Sequence, residues 1–183
     1  MEQQDRLEPV EIVAGRFQLR PPSLREADDL LALAQDADTR LWNPMRDVTN
    51  EAEAREWCRK WSDWSGGDRA QFGVFDATEG KLLGLVSLKD VDFRNQSAEI
   101  GYRTAPWARG QGVATAAVGS VVQWGFGALD LVRIALFHAV GNTASCRVAE
   151  RAGFVLEGET RSSFRYGDGE LHNEHLHARL ATD

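Results

Sequence analysis

Hydrophobic positions along the chain switch between a period of two and a period near 3.6, and the switches mark out its elements. Residues 16–20 read as a short strand, stopped by Pro21-Pro22. Ser23 and Glu26 then form a capping box that opens a helix with Ala27, Leu30, Leu31 and Ala34 on one face. Trp42-Asn43-Pro44 breaks the pattern, and Asn50 with Glu53 offers a second capping box. Ala54, Trp57, Trp61 and Trp64 follow at spacings of three, four and three, which predicts a tryptophan stripe on a helix ending near Gly66-Gly67. Residues 72–75 and 82–88 read as an antiparallel hairpin. Ser97–Thr104 reads as a strand with Ile100, Tyr102 and Thr104 on one face and Glu99, Gly101 and Arg103 on the other, ended by Pro106.

A helix from Gly112 to about Gly127, a strand over 132–138 and a helix over 143–152 come next. Two strands, 155–166 and 171–180, close the chain around the turn Gly167-Asp168-Gly169. The order predicts an α+β domain over residues 15–183, preceded by a polar extension over 1–14. Its mixed sheet is mostly antiparallel and flanked by helices. The strands at 97–104 and 132–138, joined by a crossover helix, are expected to be parallel neighbours.

Composition narrows the function classes. The 183 residues suit one domain with a proper core, and 43% hydrophobic content argues against disorder. A formal net charge of -7 speaks against a phosphate-binding surface for nucleic acid, so no direct nucleic-acid binding is expected. Cys58 and Cys146 are the only cysteines. They supply no disulfide framework and point to a reducing, cytoplasmic setting. Residues 1–11 lack the apolar core of a signal peptide. The uncharged stretch 110–129 carries several glycines, two glutamines, Thr115 and Ser120. It reads as a helix buried in the protein, and no membrane association is expected.

Chemistry concentrates where the strand at 97–104 hands over to the next helix, at Arg109-Gly110-Gln111-Gly112-Val113-Ala114. The free amides of a helix's first turn sit at the positive end of its dipole, and glycine lets backbone approach an anion closely. Arg109 can add a charge-assisted contact. The pattern is neither GxGxxG nor GxxxxGK[ST], and a tight turn whose glycines only permit packing explains it equally well. A second segment, Asn142-Thr143-Ala144-Ser145, opens a helix with Asn142 as N-cap and Ser145 at N3, and Gly153 and Phe154 serve as its C′ and C″ residues. Capping leaves unexplained why a polar Ser145 should stand beside the end of the 132–138 strand.

The stretches AEIGYRTAPWARGQGVATAAVGSVVQWGF and HAVGNTASCRVAERAGFVLEGETR closely resemble the GCN5-related N-acetyltransferase (GNAT) superfamily, within it the RimJ/RimL-type branch. Arg109, Gly112 and Ala114 match its phosphate-binding signature. Asn142 and Ser145 match the NxxS helix start, and Gly153-Phe154 and Glu157-Gly158 match its GF and EG. The likeness spans roughly residues 15–180. It implies the acyl-CoA N-acyltransferase fold with splayed fourth and fifth strands, here 97–104 and 132–139, and acetyl-CoA as the acyl donor. It further implies that backbone at Tyr102, Arg103 and Thr104 meets the pantetheine arm. The amides of Arg109, Gly110, Gln111, Gly112, Val113, Ala114 and Thr115 would hold the diphosphate, and Asn142 and Ser145 would approach the arm. Direct transfer to an amine needs a proton acceptor, an oxyanion donor and support for the leaving thiolate. Ser145 is the candidate for the thiolate and Glu99 for the base, with solvent or Tyr102 as its substitute. Some members of the family use a carboxylate in the region corresponding to 160–165, which has no Asp or Glu here.

Other features stay outside this scheme. His175 and His177 share a strand face while His172 and Glu174 have the opposite parity, so a compact metal set needs a bend and no metal is expected. His138 reads as a strand residue near the gap, with a minor reading as base, and Cys146 as a small residue on a helix face. Trp57, Trp61 and Trp64 read as core, with Trp42 or an exposed edge of the stripe shaping an acceptor groove. The acceptor is expected to be a primary amine, on a peptide N-terminus, a polyamine, an amino acid or an aminoglycoside. Competing readings are an acyl-CoA-binding regulatory module without turnover and a structural homodimer joined through helix faces.

Overall fold

The computed structural model describes residues 7–183. The first six residues of the expected extension lie outside them, but the remainder of that segment is part of the domain. Leu7 is buried in the core, and Ile12–Ala14 (β1) pairs antiparallel with Phe17–Arg20 (β2) across Gly15, which takes φ +63°. A three-residue strand is too short to show a period, so its sequence carries no signal.

A 3-10 turn, Leu24–Glu26, leads into α1 (Ala27–Gln35), α2 (Ala37–Trp42) and α3 (Glu51–Ser62). The Glu26 carboxylate accepts the Ser23 amide at 2.6 Å, completing the predicted capping box, and pairs with Arg20 at 2.9 Å. On α1 the residues buried are Ala27, Leu30, Leu33 and Ala34, so Leu33 takes the core position expected of Leu31. At α3, Asn50 caps the Glu53 amide as expected. The reciprocal contact slips by one residue, the Glu53 carboxylate accepting from the amide and hydroxyl of Thr49. The tryptophan stripe divides. Because α3 stops at Ser62, Trp64 lies beyond it, 1% exposed and edge-on to Phe72, while Trp57 and Trp61 remain half-buried on the helix.

The chain continues through β3 (Arg69–Asp76), β4 (Leu82–Asp92), β5 (Ser97–Thr104), a 3-10 turn Pro106–Ala108, α4 (Val113–Ala128), β6 (Arg133–Ala139), α5 (Thr143–Arg151), β7 (Val155–Arg165) and β8 (Leu171–Leu180). The sheet order is β1-β2-β3-β4-β5-β6-β8-β7, antiparallel throughout except between β5 and β6. This is the mixed, mostly antiparallel α+β sheet expected. The apolar α4 packs on β4 and β5, burying Val113, Ala117, Val118, Val121 and Val122. Among the described residues no helix is long and apolar enough to cross a membrane.

What positions the site is the junction of β5 and β6. Their parallel register holds for only Ser97↔Arg133, Ala98↔Ile134 and Glu99↔Ala135. Beyond it β5 continues against β4 as far as Gly84↔Thr104, and β6 against β8 as far as Ala139↔Glu174. The two strands part after Glu99, as expected for the splayed pair.

Candidate active site

A cavity of about 960 Å³ opens at this parting, walled by the free halves of β5 and β6, the start of α4 and the start of α5. At its α4 end Gly110 and Gly112 take φ +74° and +79°, the left-handed region where glycine is strongly favoured. A Cβ at either position would meet no atom within 4 Å, so open space lies over the turn. The first intrahelical bond of α4 runs from the Ala116 amide to the Gly112 carbonyl at 3.0 Å. The amides of Val113, Ala114 and Thr115 therefore precede the helical ladder, and all three residues line the cavity.

Two residues of the expected cradle are engaged elsewhere. The Arg109 guanidinium binds Asp36 and, at 3.0 Å, Asp38. Asp36 also caps α2 through the Thr39 amide at 2.9 Å. Burial alone would raise the Asp36 pKa, yet the hydrogen bonds from Arg109 and Thr39 prevail and hold it below the usual carboxylate range. Arg109 is thus a brace between the α4 turn and α2, its charge already matched by two carboxylates. Gln111 turns out of the cavity, its amide donating to the Trp107 carbonyl at 3.0 Å and its side-chain oxygen accepting from Arg16 at 3.3 Å.

At the α5 end, Asn142 caps the Ser145 amide at 3.1 Å. The helix closes with the Gly153 amide on the Glu150 carbonyl and the Phe154 amide on that of Ala149, a Schellman motif built on the predicted C′ and C″ residues. These caps fix Ser145 at the helix's first turn, 8% exposed, and its Oγ lies 2.6 Å from the Tyr102 hydroxyl across the gap. The two candidates come from β5 and α5, 43 residues apart in sequence. Burial pushes the Tyr102 pKa up to about 12, the Ser145 hydrogen bond opposing only part of that rise, so the phenol is neutral over the physiological range.

Further along β5, the Tyr102 carbonyl accepts from the Asn43 side-chain amide at 2.9 Å, and Arg103 Nε donates to the Asn43 carbonyl at 2.9 Å. One carbonyl of the expected pantetheine edge is thus already in use. Burial, with the Arg69 charge nearby, brings the Arg103 pKa down to about 10. Glu99 lines the cavity but is paired with the Lys89 ammonium at 2.5 Å. Taking up a proton there would cost that ion pair.

Glu174 is a second carboxylate in the cavity wall. It is 9% exposed and accepts from the hydroxyls of Ser163 and Tyr166, each at 2.8 Å. Burial and this carboxylate both raise the Tyr166 pKa. Among the described residues no Lys or Arg forms an ion pair with Glu174. The signal for it was its parity: Glu174 pairs with Ala139 and alternates with His175 and His177, so it faces away from them. Trp42 also lines the cavity, edge-on to Tyr166 and His172, whereas His172 is held by Asp168 at 2.8 Å.

The other histidines group as the parity rule did not foresee. His175 and His177 need no bend toward His172, because His138 of the neighbouring strand completes a set with them and Cys146. Burial lowers the pKa of both His138 and His177.

A family model described as acetyltransferase (GNAT) domain matches residues 16–155. A putative ribosomal N-acetyltransferase, YdaF, of Bacillus subtilis (strain 168) is 36% identical over 127 residues, 69% of this chain and 66% of that protein. A spermidine N(1)-acetyltransferase of Vibrio cholerae is 34% identical over 102 residues, 54% of this chain and 58% of that protein. The matched stretches thus span less than two thirds of either relative. Among solved structures, Mycobacterium smegmatis RimJ in complex with CoA-disulfide superposes with a TM-score of 0.83 at 26% identity, covering 98% of this chain and 89% of that one.

Proposed function

The chain belongs to the GNAT acetyltransferase family, in its RimJ/RimL-type branch, and from that premise we propose that it is an acetyl-CoA-dependent N-acetyltransferase acting on a primary amine. The preferred acceptor is the α-amine of a protein or peptide. The observation that carries this reading is the 2.6 Å contact between Tyr102 and Ser145 in the gap between β5 and β6, in the same cavity as the open first turn of α4. Acetyl-CoA would supply the acyl group and a thiolate as leaving group.

The residues present fit that donor. The amides of Val113, Ala114 and Thr115, the positive end of the α4 dipole and the open space over Gly110 and Gly112 suit a diphosphate. Arg109 contributes by shaping the turn, since its guanidinium is committed to Asp36 and Asp38. With Tyr102 donating to Ser145, the serine hydroxyl hydrogen is free to point at the departing sulfur. A serine hydroxyl is a poor acid, so its role is hydrogen-bond stabilisation of the thiolate more than full proton transfer. Glu174 is the stronger choice for receiving the amine's proton, because Glu99 would have to give up its Lys89 partner.

A thiol-release screen tests this, with peptides of different first residues, spermidine and an aminoglycoside, and mass spectrometry of each product. Release with peptides and acetylation of their α-amine supports the reading. Acetyl-CoA binding with no release for any amine would leave a binding module, and no binding by calorimetry would sink the proposal. A polyamine acceptor is the second reading, favoured by the Glu174 carboxylate in the cavity wall, which no Lys or Arg pairs among the described residues, and by the net charge of -7.

A further inference from the structure

Four side chains of metal-ligating type converge beside the cavity, between β6, β8 and α5. In the β6–β8 register His138 stands opposite His175 and Leu136 opposite His177, so the alternation of each strand puts all three imidazoles on one face. Cys146 reaches the same place from α5. One donor atom from each of His138, Cys146, His175 and His177 lies within 4.8 Å of the other three. The His138 and His177 rings stack with centroids 5.1 Å apart, and their Nε2 atoms are separated by 3.1 Å. That is near the ~3.3 Å edge of a tetrahedron with metal–nitrogen bonds of about 2.0–2.1 Å.

The placement of protons points the same way. The Ala139 carbonyl can only accept, so His138 Nδ1 carries a hydrogen and donates it there at 2.8 Å, which leaves the Nε2 lone pair facing His177. A ligating imidazole is held in this manner, its far nitrogen donating to a backbone carbonyl. His177 is 1% exposed, and the Nδ1 of His175 is buried with no hydrogen-bond partner among the described residues. Unpartnered buried nitrogens are costly, and three adjoining imidazoles are a poor way to fill a core.

We propose that His138, His175, His177 and Cys146 form a binding site for one divalent d-block cation, with Zn²⁺ the best match to three imidazole nitrogens and one sulfur. On binding, Cys146 Sγ turns from Glu150 Oε1, now 3.6 Å away, and the thiol proton passes to solvent as the sulfur–metal bond forms. The donor set must draw in by about an ångström to reach tetrahedral distances. The cation then ties α5 to β6 and β8 one residue from Ser145. The site does not rest on the acyl-transfer reading, and its test reads metal alone.

The full chain, free of any histidine tag and stripped with a chelator, is titrated with Co²⁺ and then Zn²⁺. The expected result is one Co²⁺ per chain with tetrahedral d–d absorption and a thiolate charge-transfer band, both lost on adding one equivalent of Zn²⁺. The melting temperature should rise by roughly 5–10 °C when free Zn²⁺ is a hundred times its Kd. Cys146→Ser should abolish the charge-transfer band, and both it and His175→Ala should weaken Zn²⁺ binding by about tenfold or more. His172→Ala, outside the set, should leave binding unchanged. An octahedral Co²⁺ spectrum, less than one equivalent bound, or wild-type affinity in both variants would overturn the proposal. The spectrum of the unaltered protein decides even where a variant folds poorly.

Discussion

At the scale of single residues, the Tyr102–Ser145 contact makes separable predictions. In the proposed reaction Ser145→Ala would remove the group facing the sulfur and Tyr102→Phe the one that orients it. Each should lower kcat by roughly 10- to 100-fold while leaving the Kd for CoA within about threefold, measured by steady-state kinetics and calorimetry. Equal loss in both quantities would assign the pair to folding or binding. The tyrosine also has a signature in stability. Its folded pKa is raised from 10.0 to about 12, so its contribution is fully present below pH 10 and is lost as pH rises from 10 through 12. Tyr102 alone should contribute a loss on the order of 2 kcal/mol across that window, and thermal melts should show the total loss smaller by about that much in Tyr102→Phe. Tyr166, also shifted upward, accounts for what remains. Which of these residues were legible follows from their backbone: Ser145 and Asn142 are cap positions with a fixed spacing, so their neighbourhood could be read. The capture of Arg109 by Asp36 and Asp38 could not, because it joins side chains more than 70 residues apart with no periodic signal between them.

At the scale of elements, the turn into α4 is the sensitive joint. Gly112→Val places a β-branched residue at φ +79°, a strain of about 1–2 kcal/mol, although no neighbouring atom obstructs its Cβ. The added side chain enters the open space over the first turn. CoA affinity should therefore fall by more than the strain explains, about tenfold or more by calorimetry, with a melting temperature only a few degrees lower. An affinity loss that merely tracks the loss of stability would identify the glycine as a packing residue. Strands longer than six residues and both helix caps were readable because period and capping are local. The division of the tryptophan stripe was not, since the end of α3 at Ser62 leaves Trp64 free to turn toward Phe72 and Trp124. The histidine set escaped for a related reason: strand parity relates residues within β8, whereas His138 arrives through pairing with β6.

At the scale of the whole molecule, the net charge of -7 acts on encounter more than on chemistry. For a polycationic acceptor such as spermidine, kcat/KM should fall severalfold between about 0.05 and 0.5 M salt, while a peptide bearing a single α-ammonium should respond much less. Equal salt dependence in stopped-assay rates would remove long-range attraction from the account. The parting of β5 and β6 after three paired residues has a different reach, into how such a protein evolves. Continuing the ladder would satisfy more backbone and give a sturdier sheet, so selection for activity and selection for thermal endurance pull this joint in opposite directions. Lineages bred only for heat resistance would be free to zip the two strands together, and the most durable descendants would be those that had forfeited catalysis.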